Sequence, residues 1–184
     1  MMTQFTDRAE AGRFLASKLK RFNNNDTVVY ALPRGGVSVG AAIAASLGIP
    51  LDVTFAGKIC APWEACGTRV ANVNGNGTEA RQATHSPERP ILPAGRVAIV
   101  VDDGCASGVK VRTVVKALRW HGAKAVIVAQ PVTSRSALKD FEALVDEVIC
   151  IDLADNGEVA QACDHLPRFD EEEIEDVVYR LTAH

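Results

Sequence analysis

The sequence predicts an α/β protein built on a doubly wound, mainly parallel sheet, and three observations carry that reading. Short aliphatic runs alternate with stretches of helical length along most of the chain. The runs are rich in β-branched residues and lack polar alternation, as strands buried on both faces do. Two of them, 27–32 and 97–101, lead directly into small-residue turns that open a helix. That junction is where open α/β sheets hold their ligands.

In chain order, Asp7 caps a first helix, with Glu10 three residues on completing a capping-box pattern. Phe14, Leu15, Leu19 and Phe22 are expected to share its apolar face. Asn23-Asn24-Asn25-Asp26 is a turn. Strand 27–32, helix 37–47 and strand 51–56 follow, then an irregular region over 60–95 marked by glycine, asparagine, Pro87, Pro90 and Pro93. Strand 97–101 precedes helix 109–120, which His121-Gly122 ends. A strand over 124–129, a short helix over 136–141 and a strand over 147–151 come next. Asp170-Glu171-Glu172 opens a last helix, where acids suit the positive end of the helix dipole, and Ile174, Val177, Val178 and Leu181 share a face. The pattern contains no internal repeat.

A chain of 184 residues is expected to form one domain, 1–184, with a sizeable core. Hydrophobic residues at 47% and charged residues at 23% are ordinary for a globular protein, and no apolar run reaches membrane-spanning length. The expected location is cytoplasmic. A net charge of −3 supplies no global field to draw in nucleic acid. The cysteines are Cys60, Cys66, Cys105, Cys150 and Cys163; an odd count without any Cys-x-x-Cys argues against a disulfide framework or zinc site. His85, His121, His165 and His184 are isolated and read as surface or cap residues.

The most informative stretch is 96–112. Its apolar run ends in adjacent carboxylates, Asp102 and Asp103, followed by a small loop, Gly104-Cys105-Ala106-Ser107-Gly108, and a helix start. Backbone N–H groups in such a loop can close around an anion at the positive end of the following helix. A phosphate cradle beside two hydroxyl acceptors points to a sugar phosphate. Upstream, Pro33-Arg34-Gly35-Gly36-Val37 follows another strand, and its glycines and Arg34 suit a pyrophosphate oxyanion.

These segments resemble the type I phosphoribosyltransferases. Asp102 to Gly108 is similar to the family loop that binds phosphoribosyl pyrophosphate (PRPP), and Leu32-Pro33-Arg34-Gly35-Gly36-Val37 to the pyrophosphate loop of one subfamily. The resemblance implies that Asp102 and Asp103 hold the ribose hydroxyls. It assigns the 5′-phosphate to Gly104, Cys105, Ala106, Ser107 and Gly108, with Ser107 where Thr is commoner. It assigns pyrophosphate to Arg34, Gly35, Gly36 and Lys58. Around Lys58 the chain departs from the subfamily: Gly57 replaces an arginine and Cys60 a glycine. The region about 57–95 corresponds to the family hood and is short and irregular here. Ala106 stands where hypoxanthine–guanine enzymes carry an acid, which weighs against that acceptor class.

The function so implied is transfer of ribose 5-phosphate from PRPP to a small nitrogenous acceptor, with release of pyrophosphate and Mg²⁺ as cofactor, carried with PRPP near Asp102 and Asp103. No residue stands out as the catalytic base. The alternative is a non-catalytic PRPP-binding or regulatory protein on the same fold. Related folds are often dimers, so a homodimer is one expected state. Trp63, in the hood, could stack on a base or serve packing. Gly36-Val37-Ser38-Val39-Gly40 also fits the serine-hydrolase pattern, but that pattern needs its serine on the sharp turn directly after a strand, and Pro33 to Gly36 intervene.

Overall fold

The structure is a computed structural model that describes residues 3–32, 35–53, 91–104 and 108–164. Five strands form one sheet: β1 (Thr27–Ala31), β2 (Leu51–Val53), β3 (Val97–Val101), β4 (Ala125–Ser134) and β5 (Glu147–Ala154). Their order is β2-β1-β3-β4-β5, and all four pairings are parallel. The helices are α1 (Arg8–Leu19), α2 (Gly35–Leu47), α3 (Val109–Trp120), α4 (Arg135–Glu142) and α5 (Asn156–Asp164).

The two faces of β1 and β3 are both buried, which accounts for their unbroken aliphatic sequences. Val29, Ala31, Ile99 and Val101 pack in one cluster with Leu15 and Leu19 of α1 and Val39 and Ile43 of α2. Val28, Tyr30, Ala98 and Val100 pack in the other with Val111, Val114 and Leu118 of α3 and Phe141 of α4. The crossover β1–α2–β2 therefore lies on one face, and β3–α3–β4 and β4–α4–β5 lie on the opposite face. Strand order runs outward from β1 in one direction and from β3 in the other, so right-handed crossovers must use opposite faces. The sheet is doubly wound, and its order reverses between β1 and β3.

Helix α1 begins as its sequence predicts. The Asp7 side chain accepts from Glu10 N at 2.6 Å, and Glu10 reaches back to the Thr6 N–H at 2.7 Å. Its apolar face differs from the predicted one. Ala11, Leu15 and Leu19 are fully buried, whereas Phe14 is 45% exposed and packs edge-on against Phe5. Residues 11, 15 and 19 follow the four-residue ridge of a helix, and Gly12 makes that ridge fit. A Cβ on Gly12 would stand 2.5 Å from Val39 O and 2.7 Å from Ala42 Cβ, so α1 and α2 approach almost backbone to backbone.

β1 stops at Ala31 rather than Leu32, while β3 and α3 have the predicted bounds. β4 and β5 run past their predicted ends. Pro131 reads as a strand breaker, but β4 leaves β3 after Ala129 and pairs with β5 alone as far as Ser134. One-sided pairing leaves a place for the N–H that proline lacks. α5 is an element that the sequence pattern above does not include. Its signal is a capping pattern: Glu158 accepts from Asp155 N at 3.0 Å.

The expected strand 51–56 is described only to Val53. Most of the hood region and the final helix after Asp170 lie outside the described residues. Ile91 closes that gap on the sheet: its N–H donates to Asp52 at 2.6 Å, and its carbonyl accepts from the Tyr30 hydroxyl at 2.7 Å. Among the described residues no helix is long and apolar enough to cross a membrane.

Candidate active site at the strand-order reversal

Where strand order reverses, the segments leaving β1 and β3 diverge to opposite faces and open a crevice between them. The segment after β1 starts α2, and the one after β3 starts α3, so two helix N-termini stand at the same end of the sheet. Leu32 N donates to Val101 O at 2.8 Å, which carries the β1–β3 pairing to the edge of the crevice.

The two segments touch through glycine. A Cβ on Gly36 would lie 2.8 Å from Val101 O and 3.1 Å from Asp102 Cα. A Cβ on Gly35 would lie 1.9 Å from Asp103 Oδ2. Only residues without side chains let the start of α2 rest on the carboxylates that end β3. From the sequence, these glycines serve to expose amides; the structure adds that they make room for the acid pair.

Asp102 is 9% exposed, and its Oδ1 accepts from the N–H of Asp103 at 3.0 Å. Burial, followed by the neighbouring charge of Asp103, pushes its carboxyl up to about 8. A carboxyl held toward its neutral form can donate as well as accept a hydrogen bond. Asp103 is bound differently. Arg8, the first residue of α1, donates to Asp103 Oδ2 from Nε at 3.0 Å and from Nη2 at 2.8 Å. Nothing in the sequence singles out Arg8. It lies 95 residues from its partner, beside a cap motif that already accounts for Asp7 and Glu10.

Gly108 closes the loop after the acids. Its φ of +66° is the left-handed conformation that favours glycine, and a Cβ there would meet the Phe141 ring at 2.9 Å. Its carbonyl accepts from Arg112 N at 2.9 Å, the first hydrogen bond of α3. Of the predicted site residues, the structure thus brings Gly35 and Gly36 against Asp102 and Asp103, with Gly104 and Gly108 on the same loop. Arg34, Lys58, Cys105, Ala106 and Ser107 lie outside the described residues. Ser38 is the fourth residue of α2 and is buried, so it is not on the strand-to-helix elbow that a serine hydrolase requires.

A second hollow, of about 560 Å³, opens at the ends of β4 and β5, lined by Arg135, Ser136, Lys139, Asp140, Asp155 and Asn156. Two of its polar groups partner each other, Ser136 Oγ donating to Asn156 Oδ1 at 3.1 Å, and Asp140 pairs with Arg112 outside the lining.

Comparison with known proteins places this arrangement. Residues 2–168 match the model of the phosphoribosyl transferase domain. A Mycobacterium tuberculosis protein that carries the provisional name phosphoribosyl transferase is 33% identical over 82% of this chain. The match covers 40% of that protein, so the chain spans about two fifths of its curated relative. Among solved structures, protein TT1426 from Thermus thermophilus superposes with a TM-score of 0.67 at 22% identity, covering 97% of this chain and 99% of that one. A hypoxanthine-guanine-xanthine phosphoribosyltransferase superposes with a TM-score of 0.51 at 14% identity, covering 82% of this chain and 75% of its own. At such identities the superpositions speak to fold alone. The family match over nearly the whole chain and the curated relative carry the assignment: the chain belongs to the phosphoribosyl transferase domain family.

Proposed function

We propose that the chain transfers ribose 5-phosphate from PRPP to a small nitrogenous acceptor and releases pyrophosphate. The observation that carries this reading is the acid pair at the strand-order reversal, Asp102 buried and Asp103 half-buried, with the glycines of α2 packed against it.

In this reading Asp102 and Asp103 hold the ribose hydroxyls and fix the ring. The loop Gly104 to Gly108, with the Ser107 hydroxyl, takes the 5′-phosphate at the start of α3. Pyrophosphate falls to Arg34, Lys58 and the N–H groups of Gly35 and Gly36, which as first residues of α2 have no partner inside the helix. The bond from C1′ to the pyrophosphate oxygen breaks with its electron pair staying on pyrophosphate. The lone pair of the acceptor nitrogen forms the new bond to C1′, and that nitrogen then sheds its proton. The ring is cation-like between these events, so fixed geometry and exclusion of water are what the site contributes.

The donor set fits Mg²⁺ that arrives on the diphosphate. Asp102 and Asp103 are the carboxylates beside which it would lie, one of them engaged by Arg8. When bound, Mg²⁺ would neutralise charge on the departing pyrophosphate.

Incubation with Mg·PRPP and a panel of nitrogen acceptors, read by pyrophosphate release, tests the proposal. Release with at least one acceptor, lost in Asp102→Asn and Asp103→Asn, is expected. Tight PRPP binding without release for any acceptor would replace the enzyme with a PRPP-binding protein. Absence of PRPP binding would dispose of both.

A further inference from the structure

We propose that Arg8 is a positioning residue for the acid pair, holding the Asp103 carboxylate in the orientation that the ribose hydroxyls require. The proposal rests on the phosphoribosyltransferase reading above and extends the site to a helix outside both ligand loops.

The location of Arg8 calls for a well-placed acceptor, and Asp103 is one. The residue is 2% exposed, and a buried guanidinium is costly without a well-placed partner. It also occupies the first turn of α1, where the helix dipole disfavours a cation. Asp103 offsets part of both costs, with Nε and Nη2 converging on a single oxygen of its carboxylate.

The neighbouring backbone is shaped around that contact. A Cβ on Gly35 would stand 1.9 Å from Asp103 Oδ2 and 2.7 Å from Arg8 Nε, so the start of α2 leaves room for the ion pair and nothing more. Arg8 is delivered by rigid parts. Asp7 caps the first turn, and the close approach at Gly12 fixes α1 against α2. Three elements far apart in sequence, at Arg8, Gly35 and Asp103, thus meet at one carboxylate oxygen. In this role the guanidinium acts through the acid and touches no ligand.

A double-mutant cycle on affinity for ribose 5-phosphate and for Mg·PRPP, measured by calorimetry on the full chain, tests the proposal. Inorganic pyrophosphate serves as the control probe. Arg8→Met should weaken ribose 5-phosphate binding about tenfold or more, as loss of an orienting partner does at other sites. Pyrophosphate affinity should stay unchanged. In an Asp103→Asn background the further Arg8→Met change should cost much less, because the carboxylate it orients is gone and only a neutral amide oxygen remains for it to hold. Arg8→Lys, which keeps one cationic donor, should recover part of the loss. Should Arg8→Met fold poorly, the Arg8→Lys variant and the double variant, which removes both charges, still supply the comparison. Equal losses from Arg8→Met in both backgrounds would overturn the proposal, as would an unchanged affinity or parallel losses for pyrophosphate. Failure of the wild type to bind Mg·PRPP or ribose 5-phosphate at all is a separate result, and it would remove the underlying function together with this role.

Discussion

The crevice between β1 and β3 and the hollow beyond β4 and β5 lie at the same end of the sheet, yet they are built in opposite ways. The hollow offers a volume of about 560 Å³, two helix N-termini, and the cations Arg135 and Lys139. Its charges are cheap to keep. Arg112 and Asp140 are 34% and 49% exposed, and an ion pair so placed contributes little. The crevice keeps charge where it is costly: Arg8 is nearly sealed, and Asp102 is held toward its neutral form. Glycines there are forced by contact, whereas Gly157 at the hollow has nothing within 4 Å of a would-be Cβ. Buried charge at the point where strand order reverses marks the candidate site.

The largest expected difference is between Asp103→Ala and Asp140→Ala. The first should lower Mg·PRPP affinity by about a hundredfold, the scale of a lost charge-assisted hydrogen bond. It should also destabilise the fold by roughly 3 kcal/mol, because two donors of a buried arginine lose their acceptor. The second should change stability by less than ~1 kcal/mol and leave binding alone. Calorimetry and urea unfolding of both variants would show it, and equal effects would erase the distinction between the regions.

Next in size is a glycine pair. Gly35→Ala would drive a methyl group into Asp103 Oδ2, so it should reduce both PRPP affinity and melting temperature. Gly157→Ala, with open space around it in a helix, should be neutral or raise stability by up to about 1 kcal/mol. An Asp103 that simply shifts aside, leaving PRPP affinity intact in Gly35→Ala, would show that the packing there is not part of the site.

A pH dependence sharpens the electrostatics. Burial pushes the Asp102 carboxyl up to about 8 in the folded state, against an ordinary value of 3.8 for the unfolded chain. Between those values the unfolded state binds fewer protons, so the contribution of Asp102 to stability is complete below about pH 4 and declines until about pH 8. Unfolding free energies across that window should therefore fall less steeply with pH in Asp102→Asn than in the wild type. Parallel curves would mean that burial does not hold this carboxyl neutral.

Much of this is legible in the sequence for identifiable reasons. β3 and α3 fall where the sequence puts them because an uninterrupted aliphatic run and a glycine-bounded amphipathic run leave little choice. The acid pair stands out because carboxylates directly after such a run must end a buried strand. What the sequence hides depends on three-dimensional partners. Pro131 is a strand residue only because β4 has already left β3. Phe14 gives way to Ala11 and Gly12 because α1 meets α2 through small residues, which hydrophobicity ranks low. Arg8 reads as an ordinary helix-start residue until the fold sets it against Asp103.

The central claim is that the acid pair at the strand-order reversal binds PRPP. Titration calorimetry of Mg·PRPP against the wild type and Asp103→Asn, which still offers Arg8 an oxygen acceptor, tests it most directly. Saturable one-site binding by the wild type, weakened at least tenfold in a variant that remains folded, is the predicted result. Equal affinity in the two proteins, or no binding by the folded wild type, would contradict it.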